Sequence, residues 1–327
     1  MKKLIAAAVA TSVSAIAFAD VSITGSLKTN YTFTDNSVAT ANDSDKFSTE
    51  GNLSIKGKSG DTNVVMNFGN IDATGAGVNQ ANVQAEDVYL TTKIGDVNVK
   101  MGDYDNGDHP LRASSRVVRA NLTTELGGFT LSYLNGTGPG ELASGSTEDS
   151  QGGDEVAVST TLGGIGVKYA KKDSADQTKV TDSFQGVNVV YDHLGDDVAN
   201  KDRTMVEVST ELSGVGIKFG QLTADSSALI SGDSWMGDYE GTKELDITTA
   251  QDVTAIELKT AMAGNTVAFR SIKVDGVASE DIDMNKIILT RPLASGATLE
   301  ITYKDIDDAG TASNTKEVFD VELAVKF

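Results

Sequence analysis

Between residues 100 and 119 the chain gathers charges of both signs at close spacing. Asp103, Asp105 and Asp108 form an acidic cluster; Arg112, Arg116 and Arg119 follow, with Lys100 just ahead. Carboxylates on a loop facing ammonium and guanidinium groups on a wall would set up a transverse field, and rings of fixed charge are how aqueous passages discriminate among ions. Runs of this kind also arise as ordinary solvated loop charges, and the sequence supports both readings. Nucleophilic chemistry has less to work with. His109 and His193 are the only imidazoles, and neither neighbours a serine in a recognisable motif. No Walker loop, G-x-S-x-G elbow or H-E-x-x-H pair is present. An enzyme is not expected.

The elements that must position these charges are constrained by composition. The 327 residues include 47 acidic and 27 basic side chains, a net charge of −20, which argues against nucleic acid. With no cysteine there is neither a disulfide framework nor a cysteine zinc site. Beyond the N-terminus no run reaches the roughly 18 apolar residues a membrane helix requires. At the N-terminus, Lys2 and Lys3 precede an apolar run from Leu4 to Ala10, extended by Val13, Ala15 and Ile16 and closed by Ala17-Phe18-Ala19. That order predicts a cleaved secretory signal peptide over 1–19, leaving one domain from 20 to 327.

The rest of the chain has a period of two. Val21, Ile23, Leu27, Tyr31 and Phe33 alternate with Ser22, Thr24, Ser26, Lys28, Asn30 and Thr32. Such alternation makes a strand with one apolar and one polar face, and it runs far beyond the usual length of about 5–6 residues. Short glycine-centred breaks recur at Ser59-Gly60, Gly95-Asp96, Gly127-Gly128, Gly163-Gly164, Ser213-Gly214, Ala263-Gly264 and Ser295-Gly296. Three stand in near-repeats, ELGGFTL (125–131), TLGGIGV (161–167) and ELSGVGI (211–217). Longer polar breaks, such as 34–45, 136–154 and 223–242, alternate with them. A meander with short turns at one end and long loops at the other, and with polar far faces, predicts a transmembrane antiparallel up-and-down β-barrel rather than a soluble sandwich. Counting the hairpin around Gln185-Gly186 gives 18 strands; without it there are 16.

The final strand is the sharpest feature. Phe319, Val321, Leu323, Val325 and Phe327 share one face, opposite Asp320, Glu322, Ala324 and Lys326. A closing strand that ends on Phe resembles the signal read by the barrel-assembly machinery of outer membranes. The segments 86–103 (EDVYLTTKIGDVNVKMGD), 116–133 (RVVRANLTTELGGFTLSY) and 287–303 (IILTRPLASGATLEITY) are similar to strand–turn–strand units of Gram-negative general-diffusion porins. Met101-Gly102-Asp103 resembles the alphaproteobacterial members. The resemblance implies an outer-membrane homotrimer, usually of 16-stranded barrels, contacting lipid and lipopolysaccharide and passing small hydrophilic solutes by passive diffusion. It also implies a third loop, here about 103–115, that folds into the lumen; the family's version is longer.

Further expectations attach to single residues. Parity places Lys100, Asn98, Arg119 and Asn121 inward and Arg116 outward, and makes Glu300, Lys304, Asp320, Glu322 and Lys326 a lumenal salt-bridge network. Aromatic residues are only 6% of the chain; Tyr31, Tyr89, Tyr133, Tyr169, Phe269, Tyr303 and Phe327 are the candidates for interfacial girdles. Trp235, the single tryptophan, falls in a loop. No cofactor is expected. Carboxylates at Asp196, Asp197 and Asp202, at Asp238, Glu240 and Glu244, and at Asp305, Asp307 and Asp308 could hold Ca²⁺, although solvation is their commoner role. The overall acidity suggests a mild preference for cations. Two alternatives stand beside the diffusion porin: a substrate-specific outer-membrane channel, and a non-porous surface structural or adhesive β-protein.

Overall fold

The computed structural model describes residues 20–36, 43–69, 84–105, 116–136, 153–172, 175–196, 201–225, 251–276, 281–308 and 314–327. The expected signal peptide lies outside them. The first six strands are β1 (Asp20–Asn36), β2 (Ser44–Ser59), β3 (Thr62–Gly69), β4 (Gln84–Ile94), β5 (Val97–Asp105) and β6 (Arg116–Leu126). Next come β7 (Phe129–Gly136), β8 (Gly153–Leu162), β9 (Ile165–Lys172), β10 (Ala175–Phe184), β11 (Val187–Asp196) and β12 (Lys201–Leu212). The last six are β13 (Val215–Ala224), β14 (Gln251–Met262), β15 (Asn265–Gly276), β16 (Ile282–Pro292), β17 (Ala297–Asp308) and β18 (Asn314–Lys326). Every strand pairs antiparallel with its sequence neighbours, and β18 pairs with β1 to complete the ring. The fold is an all-β, closed, 18-stranded barrel, which resolves the count left between 16 and 18.

The seam is built from residues the sequence marks. β1 and β18 pair from Ser26↔Lys326 to Asn36↔Lys316. Beyond that register the Phe327 amide donates to the Gly25 carbonyl at 3.0 Å, and the Gly25 amide donates to the Phe327 carbonyl at 2.8 Å. A Cβ on Gly25 would stand 2.5 Å from the Phe327 ring. The closing aromatic therefore seats where the partner strand has no side chain.

Eight tight turns join β2 to β3, β4 to β5 and each later pair through β16–β17 at one end, where β1 begins and β18 ends; we call this the turn end. At Gln185-Gly186, Ser213-Gly214 and Ala263-Gly264 both residues have positive φ, between 50° and 81°. That is the two-residue turn whose twist matches a hairpin, so a non-glycine residue is held there by its flanking strands. At the other, loop end, the undescribed connections range from 173–174 to 226–250. The expected long loops are thus not uniform around the rim. The third connection is also shorter than expected, because β5 continues through Asp105 and leaves only 106–115.

The outer face is apolar along its whole circumference. Val21, Ile23, Leu126, Leu162, Leu212 and Met262 are each more than half exposed near the turn end. Tyr133, Tyr169, Tyr191, Phe219 and Phe269 all occupy the fifth position of the strand that follows a tight turn, and all are exposed. They form an aromatic belt denser than composition suggested. Tyr89 is a correction to the expected girdle. It alternates with the exposed Val88 and Leu90 and pairs with Val65 and Gly102, so it faces the interior.

Candidate channel lumen

Strand alternation carries the polar face of each strand inward, and the side chains there sort into three groups. The first lies on β4–β12. The Lys100 ammonium sits 4.3 Å from the centre of the Tyr89 ring and 3.9 Å from that of Tyr104, the two rings meeting edge to face at 5.6 Å. The Arg119 guanidinium lies 6.0 Å from the Tyr104 ring. Cations over aromatic faces are attracted by about 0.5–2 kcal/mol each, most when desolvated. This packing depends on Gly102, whose φ is 145° and where a Cβ would stand 2.3 Å from the Val88 carbonyl oxygen.

Farther round, the register sets Glu155 directly opposite Lys172. The Gln177 amide donates to Asp192 Oδ1 at 2.9 Å, and Arg203 Nη2 approaches Asp192 Oδ2 at 3.5 Å. Tyr104, Arg119, Glu155, Gln177, Asp192, Arg203 and Lys172 are all between 2 and 7% exposed, as deep as a protein core.

The second group is a belt midway along β12–β18. Lys218 pairs with Glu207 at 3.1 Å and stands opposite Glu257, which forms an ion pair with Arg270. Arg270 stands opposite Lys286, Lys286 opposite Lys304, and Lys304 reaches Asp320 at 3.5 Å. Across the seam Lys28 reaches Glu322 at 3.8 Å, and Thr290 donates to Glu300 at 3.1 Å. The network expected around Glu300, Lys304, Asp320 and Glu322 is thus divided among separate partners; Lys326 lies on the same inward face, opposite Ser26.

The third group was not foreseen. Toward the loop end of the same strands the inward residues are Met205, Leu222, Ala224, Val253, Ala255, Ile272, Val274, Ile282, Met284, Ile306 and Val318, which form one buried cluster. A usable signal exists: each sits at an inward parity position, two to six residues loopward of the charged belt. The period of two persists there but its phase inverts, with Ile272 and Val274 inward and Lys273 and Asp275 exposed outward, so a single parity carried along the strand misassigns it.

Of the candidates around the third loop, Lys100 and Arg119 are brought together on the inner wall through Tyr104, a residue the sequence reading passed over. Asp103 stands opposite Val88 and Val118, on the face alternation assigns to the exterior. Asp105 and Arg116 are paired in register where β5 and β6 end. Asp108 and Arg112 lie outside the described residues, as do Trp235 and the carboxylates Asp197, Asp238, Glu240 and Glu244. Among the described residues, no three histidine or carboxylate side chains converge as a cation site would require. His193 Nδ1 meets Thr204 Oγ1 at 3.1 Å and is spent on that contact.

The charge along the wall differs from that of the whole chain. Lys100, Arg119, Lys172, Arg203, Lys218, Arg270, Lys286 and Lys304 face Glu155, Asp192, Glu207, Glu257 and Asp320, an excess of basic groups in a chain of net charge −20.

An 18-strand barrel with an apolar exterior and a charged inner wall has the architecture of an aqueous passage through a membrane. Comparison with solved structures gives the same fold. The chain superposes on OccK11 (OpdR) of Pseudomonas aeruginosa with a TM-score of 0.68 and 11% identity, covering 94% of this chain and 96% of that one. OccAB4 of Acinetobacter baumannii gives 0.65 and 12%, over 95% and 99%. The outer membrane protein OpdK of P. aeruginosa gives 0.65 and 10%, over 94% and 99%. No protein-family model matches the chain, and no curated protein matches it in sequence.

Proposed function

We propose that the protein is a bacterial outer-membrane channel that passes small charged, hydrophilic solutes selectively. The observation that carries this reading is the inner wall. A wide general-diffusion pore needs a wetted lining, yet side chains on most of the inward strands are nearly inaccessible at the loop end. That arrangement supports a narrow path bordered by ordered ion pairs, and it favours a selective channel over an open sieve. The excess of lysine and arginine on the wall supports attraction of anionic groups, in place of the cation preference suggested by total charge. The shared fold with an outer membrane protein supports the location.

Single-channel recording from the mature chain in planar bilayers, with a salt gradient, tests the proposal. The expected result is small unitary conductance and a reversal potential on the anion side, with insertions in groups of three if the protein is a homotrimer. A folded barrel with no conductance would leave the surface structural reading; a large conductance linear in salt would restore the diffusion porin.

A further inference from the structure

Two lysines meet on the inner wall without a counter-charge between them. Lys168 on β9 and Lys179 on β10 stand directly opposite each other in register, both half-buried. Side chains so placed have Cβ atoms about 4.5–5.5 Å apart, and like charges at that spacing destabilise a sheet. Arg270 and Lys304, the comparable cations of the belt, hold Glu257 and Asp320. Among the described residues, neither Lys168 nor Lys179 has an ion-pair partner. The nearest carboxylates are engaged elsewhere. Asp192 stands opposite Lys179 on β11 but accepts from the Gln177 amide and lies 3.5 Å from Arg203. Glu125 accepts the Thr130 hydroxyl at 2.6 Å. A sheet that keeps such a pair departs from its own local rule, and departures of that kind concentrate where function requires them.

The surroundings of the pair are rich in donors. Both lysines line a groove of about 410 Å³, with Ser159, Thr161 and Thr181 beside them. Ser159 is in register with Lys168, and one step nearer the turns Thr161 and Thr181 flank Gly166 from either side. Gly166 keeps the floor open, since a Cβ there would stand 2.4 Å from Thr181 Oγ1. We propose that this groove is a binding subsite for a compact divalent oxyanion of the phosphate type, its charge shared by Lys168 and Lys179 and its remaining oxygens accepting from Ser159 and Thr181. A divalent anion neutralises both ammonium groups, whereas a single carboxylate leaves one of them uncompensated. Hydrogen bonds from an ammonium to phosphate are charge-assisted and roughly twice as strong as neutral ones. The subsite lies on β8–β10, apart from the β12–β18 belt. It gives the anion attraction proposed above one location and one ligand class, and so rests on that reading. Its test needs only a folded barrel, so the subsite can fail while an anion-side reversal potential stands.

Calorimetric titration of the refolded barrel in zwitterionic detergent with inorganic phosphate, at fixed ionic strength, tests the assignment. Saturable binding of one phosphate per barrel is expected. Lys168→Gln and Lys179→Gln should each weaken it about tenfold, the loss of one charge-assisted hydrogen bond. Thr181→Val removes a hydroxyl at constant charge and size, and should weaken binding roughly threefold. Lys56→Gln is the control for diffuse charge: this lysine also faces inward, on β2, but stands opposite Ser22 and Val65. It should change the affinity by less than about twofold. A folded wild-type barrel that takes up no phosphate overturns the proposal whether or not the variants fold. Equal weakening by Lys56→Gln and Lys168→Gln, or no effect of Thr181→Val, also overturns it, since a general positive potential would then account for the binding.

Discussion

The inner wall of this barrel is two walls. From β5 to β12 its buried side chains include tyrosine, arginine, lysine, glutamine and carboxylates set in pairs, with Leu134, Ala157, Ala170 and Leu194 packed among them. From β12 to β18, toward the loop end, they are aliphatic, with the charges displaced half a strand toward the turns. The outer face shows no such division, with exposed apolar residues on nearly every strand. Lipid imposes one rule on the apolar band of the exterior, but each sector of the interior answers to whatever lies against it. In the polar sector buried charges must be partnered, since an unpaired one costs several kcal/mol. In the aliphatic sector there is nothing to pair with, and a charge has no place.

The sharpest way to break this contrast is to place a carboxylate in the aliphatic sector. Ile272→Asp should destabilise the barrel by about 3–5 kcal/mol, the cost of an uncompensated buried charge. The readout is the urea midpoint for loss of β-sheet ellipticity in detergent. A loss below roughly 1 kcal/mol, the range of a solvent-exposed substitution, would mean that this sector is wet and the two walls are alike.

Removing a partner in the polar sector should cost less. Arg203→Met leaves Asp192 buried without its cation, although the Gln177 amide still donates to it. The expected loss is about 2–3 kcal/mol, from a charged acceptor deprived of its cation. Adding Asp192→Leu should recover most of it, because the hydrophobic pair no longer strands a charge. If the double variant is as unstable as the sum of the singles, the pair is not what holds this sector together.

Much of this molecule was legible in one dimension because lipid writes a period of two. Val21, Ile23 and Leu27, the glycine turns and the Phe319–Phe327 face sufficed to place strands, turns and seam. The lumen was less legible. Parity correctly turns Lys100 and Arg119 inward, but it cannot show that Tyr89 and Tyr104 sandwich the lysine, since that contact joins two strands across Gly102. It also places Asp103 with the outward-facing residues, on the opposite face from Lys100 and Arg119. The aliphatic sector was hidden because the period of two continues through it with the phase inverted: Ile282 and Met284 face inward while Asp283 and Asn285 are exposed, so periodicity alone does not say which face is apolar.

Gly102→Ala probes how tightly the polar sector is built. Its φ of 145° and the Val88 carbonyl oxygen 2.3 Å from an added Cβ predict a loss of about 1–2 kcal/mol from strain. The Lys100 ammonium should also lose its seat between the tyrosines, which would appear as greater solvent accessibility of Tyr89 and Tyr104 in ultraviolet difference spectra. Gly216→Ala on β13, where an added Cβ meets nothing closer than 3.6 Å, should do neither. Equal effects at both positions would remove the special status of the polar sector.

The smallest effect on stability should come from the belt that the two sectors share. Lys286 faces Arg270 on one side and Lys304 on the other, so three cations stand in sequence across neighbouring strands. Like charges in register repel, and Lys286→Gln should therefore leave stability within about 0.5 kcal/mol of the wild type. Its electrical effect should be larger than its effect on stability, because the row carries net positive charge toward the lumen. Neutralising it should move the reversal potential in a salt gradient toward cations, and Lys286→Glu should move it further. An unchanged reversal potential in both Lys286 variants would mean that ions pass beside the polar sector, where Lys100 and Arg119 face inward, and do not sample the belt beneath the aliphatic one.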